Sequence, residues 1–242
     1  MEKVQIIINE FLSLRNEEQA TLLARFFKTG TGEYGEGDMF LGIKVPVTRS
    51  LVKKYRNDVS IADIEILIDS PWHEIRLCGF LLLVELYQKS IKAKEMEVAS
   101  DLVNFYIENI GKGNNWDLVD LVAYKILGDR VVNNPELEEI LFELSRNNDS
   151  LWHQRVAMVS TFALIRQQKY DITFQLAEKY LSHDHDLIHK ATGWMLREIG
   201  KRGGIDRLKE FLEKNKSRMP RTMLRYAIER FPENERQYFL SH

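Results

Sequence analysis

Apolar residues recur at three- and four-residue spacing along nearly the whole chain, and no stretch shows the alternation of a half-buried strand. The pattern predicts helices over 3–14, 17–28, 46–57, 61–69, 72–89, 93–110, 115–128, 135–146, 151–167, 171–182, 186–200, 204–214, 219–231 and 233–240. Only five prolines interrupt it. The glycine-rich stretch TGTGEYGEGDMFLG, 29–42, is expected as a loop or a small hairpin.

Short helices in succession suggest stacked pairs. Five segments can be laid over one another: RLCGFLLL from Arg76, DLVAYKIL from Asp120, RVAMVSTF from Arg155, KATGWMLR from Lys190 and RTMLRYAI from Arg221. Their first residues are 44, 35, 35 and 31 positions apart, the range of two-helix solenoid repeats. A turn-like cluster precedes each: DSPWHE, GNNWD, NDSLWHQ, SHDHD and KSRMP. Identity between the units is low, and any amphipathic helices can be overlaid in this way. The expected fold class is all-α, with 1–242 as a single domain.

In this overlay four of the five helices begin with a cation: Arg76, Arg155, Lys190 and Arg221. Such a row along one face can track a phosphate backbone. The second unit begins with Asp120, which would repel phosphate. It lies in GNNWDLVDLVAYKILGD, 113–129, where Gly113, Asn114 and Asn115 offer a turn and an N-cap. Trp116 and Asp120 fall four apart, on one side of the expected helix. Spacing leaves three readings of Asp120: an ion pair with Arg155, an exposed acid near a positive helix N-terminus, or a catalytic or electrostatic carboxylate. Trp116 and Trp194 read by default as core, or alternatively as rings that stack on a base or attract a cation. Trp72 and Trp152, in parallel SPWHE and SLWHQ turns, read as helix packing.

The 242 residues, 44% hydrophobic, suffice for a sizeable core. The formal charge of −2 argues neither for nor against nucleic acid, but its distribution is uneven. From Lys190 to Arg230 twelve cations face five acids, which suits either an anionic partner or a solvated helical surface. The one cysteine, Cys78, sits in the apolar run RLCGFLLLVEL and is expected to be an inert core thiol. No disulfide can form within the chain, the N-terminus lacks a signal-peptide pattern, and no apolar run reaches spanning length. The expectation is a cytoplasmic protein without a membrane partner.

His183, His185 and His189 in SHDHDLIH invite a metal reading. No HExxH pattern accompanies them, and Asp and His often cap such turns, so no metal site is expected. GTGEYGEG lacks the Lys-Ser/Thr ending and the preceding strand of a phosphate-binding loop. No Ser-His-Asp or Cys-His arrangement stands out.

With NWDLVD, WHQRVAM and KATGWMLRE in that order, the chain resembles the AlkD-type DNA alkylation repair family. ARFF and FLGIKVPVTR also resemble the family's N-terminal region, so the likeness runs over nearly the whole length. It implies a curved solenoid of HEAT-like antiparallel helix pairs cradling duplex DNA that carries alkylated bases. It implies a monomeric glycosylase that removes cationic N3- and N7-alkylated purines with no cofactor and without drawing the base into a pocket. An aspartate flanked by two tryptophans then corresponds to Asp120, Trp116 and Trp194. Arg155 and Arg197 correspond to phosphate-contacting cations, joined by Lys190 from the cation row. Phe26 stands where the family often has tyrosine, and the loop 29–39 is longer than in the best-known members. Relatives that bind damaged or branched DNA without excision leave a non-catalytic DNA-binding protein as the alternative. A protein-interaction scaffold is a third possibility, favoured by a neutral concave face.

Overall fold

The computed structural model describes residues 2–241. They are all-α, with one isolated parallel bridge between Met39 and Trp72. The chain divides into two compact units, the first ending at Val122 and the second starting at Ala123.

Unit one contains α1 (Glu2–Ser13), α2 (Glu17–Phe26), α3 (Val45–Tyr55), α4 (Ile61–Ile68), α5 (His73–Ala93), α6 (Met96–Glu108) and α7 (Trp116–Asp120). Its centre is α5, against which α3, α4 and α6 pack. Every residue of α5 from His73 to Val84 is buried, so this helix has no solvent face over its first three turns. Cys78 lies within it, and burial pushes the thiol up to about 12, as expected of an inert core cysteine.

Unit two contains α8 (Ala123–Asn133), α9 (Glu138–Ser145), α10 (Leu151–Arg166), α11 (Asp171–Lys179), α12 (Asp186–Lys201), α13 (Ile205–Asn215), α14 (Arg221–Ala227) and α15 (Glu233–Leu240). Helices α8, α10, α12 and α14 pack side by side, and α9, α11, α13 and α15 pair with them. Two glycines set the close crossings. A Cβ on Gly128 would lie 2.3 Å from the Ser160 carbonyl oxygen of α10, and one on Gly193 would lie 2.5 Å from the Met223 carbonyl oxygen of α14. This helix-pair packing is that of an α-solenoid.

The structure departs from the sequence reading at one helix. The helix expected over 115–128 is broken: α7 ends at Asp120 and α8 starts at Ala123. The Val122 N–H reaches back only three residues, to the Val119 carbonyl at 3.1 Å, which tightens the chain into a turn. Apolar residues keep their helical spacing through this turn, so periodicity alone did not reveal it. The stretch 29–37 is a run of turns and bends with no hairpin, and 39–43 docks against the start of α5. Among the described residues no helix is long and apolar enough to cross a membrane.

Candidate functional site

Helix α7 opens on Trp116 and ends on Asp120, both half-buried. Asn115, fully buried, caps the helix by accepting from the Trp116 N–H at 2.9 Å. The Trp116 indole stacks on Phe27, with centroids 5.2 Å apart and planes at 27°. Phe26, 62% exposed, meets the indole edge-on at 5.9 Å. The two aromatic residues at the end of α2 therefore divide the work: Phe27 supports the indole from within and Phe26 extends its surface outward. Asp120 lies near the buried Tyr106. Burial and the Asp120 charge together raise that phenol above its ordinary range. The negative field of Asp120 thus acts inside a partly desolvated setting.

Beneath Trp116 lies a cluster that the sequence reading missed. The His73 ring packs against both Phe40, stacked at 4.4 Å, and Phe27, tilted at 5.0 Å, and the two phenyl rings stack on each other at 5.1 Å. Its Nδ1 is 2.8 Å from Asp38 Oδ2 and its Nε2 is 2.9 Å from Asp117 Oδ2. Arg76 donates to Asp38 Oδ1 at 2.6 Å, to Asn114 at 2.9 Å and to the Ser70 and Pro71 carbonyls. Burial opposes a charge on His73, but the carboxylates of Asp117 and Asp38 outweigh it and push the imidazole up to about 9. Burial likewise opposes ionisation of Asp38, yet His73 and Arg76 hold that carboxyl below its usual range. The neighbouring Glu74, also buried, accepts the backbone N–H groups of Leu41, Gly42 and Ile43 at 2.8–3.0 Å. Two titratable residues at the buried start of a helix require such partners. That was the signal available in SPWHE.

Arg76 therefore does not belong to an open row of phosphate-binding cations. Its two terminal nitrogens make four bonds to the protein, to Asp38, Asn114 and the Ser70 and Pro71 carbonyls.

In unit two, Trp194 is half-buried on α12, 6.1 Å from Phe162 of α10. Phe162 in turn meets Tyr124 of α8 edge-on at 5.1 Å and carries the Arg202 guanidinium over its face at 4.8 Å. Arg155 is buried and donates to the Leu187 carbonyl at 2.5 Å. Lys190 pairs with Asp186 at 2.6 Å, and Arg197 pairs with Glu229. The positive span 190–230 is also partly neutralised from outside, because Arg207 pairs with Asp171, Lys214 with Glu178 and Lys209 with Glu235. The three histidines of SHDHDLIH are held by hydrogen bonds within the protein. His183 Nε2 meets the Gln154 side chain at 2.7 Å, His185 Nδ1 accepts the Leu187 N–H at 3.1 Å, and His189 meets the His183 carbonyl. They act there as turn and capping groups.

The class is an all-α protein of paired helices that presents an indole and a carboxylate together on one short helix. Residues 7–231 match the model of the DNA alkylation repair enzyme family, and the chain belongs to that family. A solved structure described as a predicted DNA alkylation repair enzyme from Enterococcus faecalis is similar, with a TM-score of 0.69 and 18% identity. The likeness covers 90% of this chain and 97% of that one, and it shows the shared fold. No curated protein matches.

Proposed function

We propose that this protein is a DNA glycosylase that excises cationic N3- and N7-alkylated purines from duplex DNA. The observation that carries the reading is the pairing of Trp116 and Asp120 on α7, with the indole braced by Phe26 and Phe27. Family membership supports a role in DNA alkylation repair.

The chemistry suits these groups. An alkylated purine already carries positive charge and leaves without being protonated. As the N-glycosidic bond breaks, charge develops on the sugar, and a fixed carboxylate stabilises that oxocarbenium-like centre. Asp120 is assigned this role, and it also orients or deprotonates the attacking water. Trp116 holds the cationic nucleotide through its ring, an attraction worth about 0.5–2 kcal/mol. Trp194 is assigned the second such ring. Arg155, Arg197 and Lys190 are assigned to phosphates and Phe26 to the DNA surface, with no cofactor or metal in the reaction.

The test is base release from duplex DNA bearing 7-methylguanine or 3-methyladenine. Release of the free base by the unmodified protein supports the proposal. Tight DNA binding with no release from either lesion overturns it in favour of a non-catalytic DNA-binding protein.

A further inference from the structure

The buried cluster under Trp116 has a charge arrangement that the excision chemistry does not use. Two carboxylates, Asp38 and Asp117, flank one imidazole, and their side chains are 0% and 8% exposed. Ionised carboxylate oxygens only accept hydrogen bonds. Both His73 nitrogens must therefore carry protons to satisfy both neighbours. Arg76 supplies a second cation to Asp38, so two cations balance two anions in a desolvated space. The Asn115 amide also reaches Asp38, at 3.4 Å. The other groups packed on the imidazole, Phe27 and Phe40, carry no charge, and Glu74 is turned to the 41–43 backbone.

The cluster joins the elements that support the indole. Asp38 comes from the end of the glycine-rich loop, Phe27 from the chain just after α2, His73 from the start of α5 and Asp117 from α7, next to Trp116. The His73 N–H also donates to the Met39 carbonyl at 2.8 Å, which fixes the loop's last residues on α5. Asp117 is the residue after Trp116 and three before Asp120. It therefore shares a single short helix with both.

We propose that His73, as an imidazolium clamped between Asp38 and Asp117, is a positioning residue that sets the aim of Trp116 and Asp120. The proposal rests on the glycosylase reading above. A neutral imidazole has one N–H and one lone pair. Loss of the proton leaves one carboxylate facing a lone pair in a buried site, and the α7 end of the clamp loosens. The glycine-rich loop then has a purpose: it delivers Asp38 to one ring nitrogen while α7 delivers Asp117 to the other.

The experiment uses the full-length protein with 15N-labelled histidine. The His73 ring signals, assigned by their loss in His73→Gln, should show two protonated nitrogens at pH 7.5 and titrate near 9. In Asp117→Asn the titration should move down. Single-turnover release of 7-methylguanine by the parent protein should fall as the same proton leaves. His73→Gln should lose roughly tenfold to a hundredfold in rate, the scale of a misaligned catalytic group. Its residual rate should be flat between pH 7 and 9.5, and its Kd for undamaged duplex should stay within about twofold, as expected when no phosphate contact is altered. A neutral imidazole at pH 7.5, or a parental rate in His73→Gln, overturns the proposal. Should His73→Gln fail to fold, the shift between parent and Asp117→Asn decides alone. If the parent releases no base at any pH, the glycosylase reading fails. The imidazole titration and its response to Asp117→Asn then still judge the clamp.

Discussion

Phe27 and Trp116 stack with their ring centroids 5.2 Å apart, and this contact ties the residue after α2 to the first residue of α7. Phe27 is 7% exposed while Phe26 is 62% exposed, so adjacent phenylalanines have opposite roles. Phe27→Ala removes a buried ring that touches Trp116, His73 and Phe40. It should cost about 3–5 kcal/mol of stability, the usual range for a buried Phe→Ala change. Phe26→Ala should stay within about 0.5 kcal/mol of the parent, as exposed substitutions do. Urea unfolding of the two variants checks the contrast, and equal losses would contradict it.

Arg155 and Arg197 are both assigned to phosphates, but their surroundings separate their variants. Arg197→Ala breaks an ion pair to a Glu229 side chain that is 48% exposed and a longer one, at 3.8 Å, to the buried Glu198, which keeps Lys201 and Arg202, so the loss in Tm should be small. Its duplex affinity should fall for all sequences alike, and the salt dependence should flatten by about one unit of slope. Arg155→Ala strips a buried donor from the Leu187 carbonyl and should lose about 1–3 kcal/mol of stability as well. Binding titrations at several salt concentrations, with Tm for each variant, test both. An unchanged salt slope in Arg197→Ala would remove that residue from the phosphate contacts.

The charge on His73 makes stability depend on pH in a defined window. Its folded value, about 9, lies above the ordinary 6.5, so the native state holds the proton more tightly. The contribution is complete below about 6.5 and is lost as pH rises through about 9. Burial lowers His153, His183 and His185 instead, so they discharge below this window. Thermal unfolding should show Tm declining from pH 6.5 to 9 in the parent and much less decline in His73→Gln. A parent Tm that rises across that range would contradict the assignment.

Gly193→Ala tests the packing of unit two. Its Cβ would sit 2.5 Å from both the Met223 carbonyl oxygen and the Tyr226 Cβ. Separation of α12 from α14 should cost about 1–3 kcal/mol, as overpacking does. A Tm equal to the parent's would show that this crossing relaxes freely.

The helices were legible because the apolar residues that bury themselves recur at the helical period. That same signal was blind at Leu121 and Val122, where the turn keeps the apolar spacing. The NWD segment stood out because Trp116 and Asp120 fall four apart, but spacing left packing and site readings open, and only the resemblance to the family favoured a site. Arg76 misled the overlay because helix position does not say whether a guanidinium meets solvent or, as here, Asp38 and two carbonyls. His73 was overlooked because its partners, Asp38 and Asp117, are 35 and 44 positions away. No local spacing links them, and only the docking of the glycine-rich loop on α5 brings them together.

The central claim is that the Asp120 carboxylate acts on the breaking glycosidic bond. Asp120→Asn keeps the size of the side chain and removes its charge. Single-turnover release of 7-methylguanine from duplex DNA, measured with Tm, is the most direct test. Asp120→Asn should lose on the order of 10²–10³ in rate, the scale for removal of an electrostatic catalytic group, with Tm and DNA affinity held or raised. A less stable Asp120→Asn protein that releases base at the parental rate would contradict the claim.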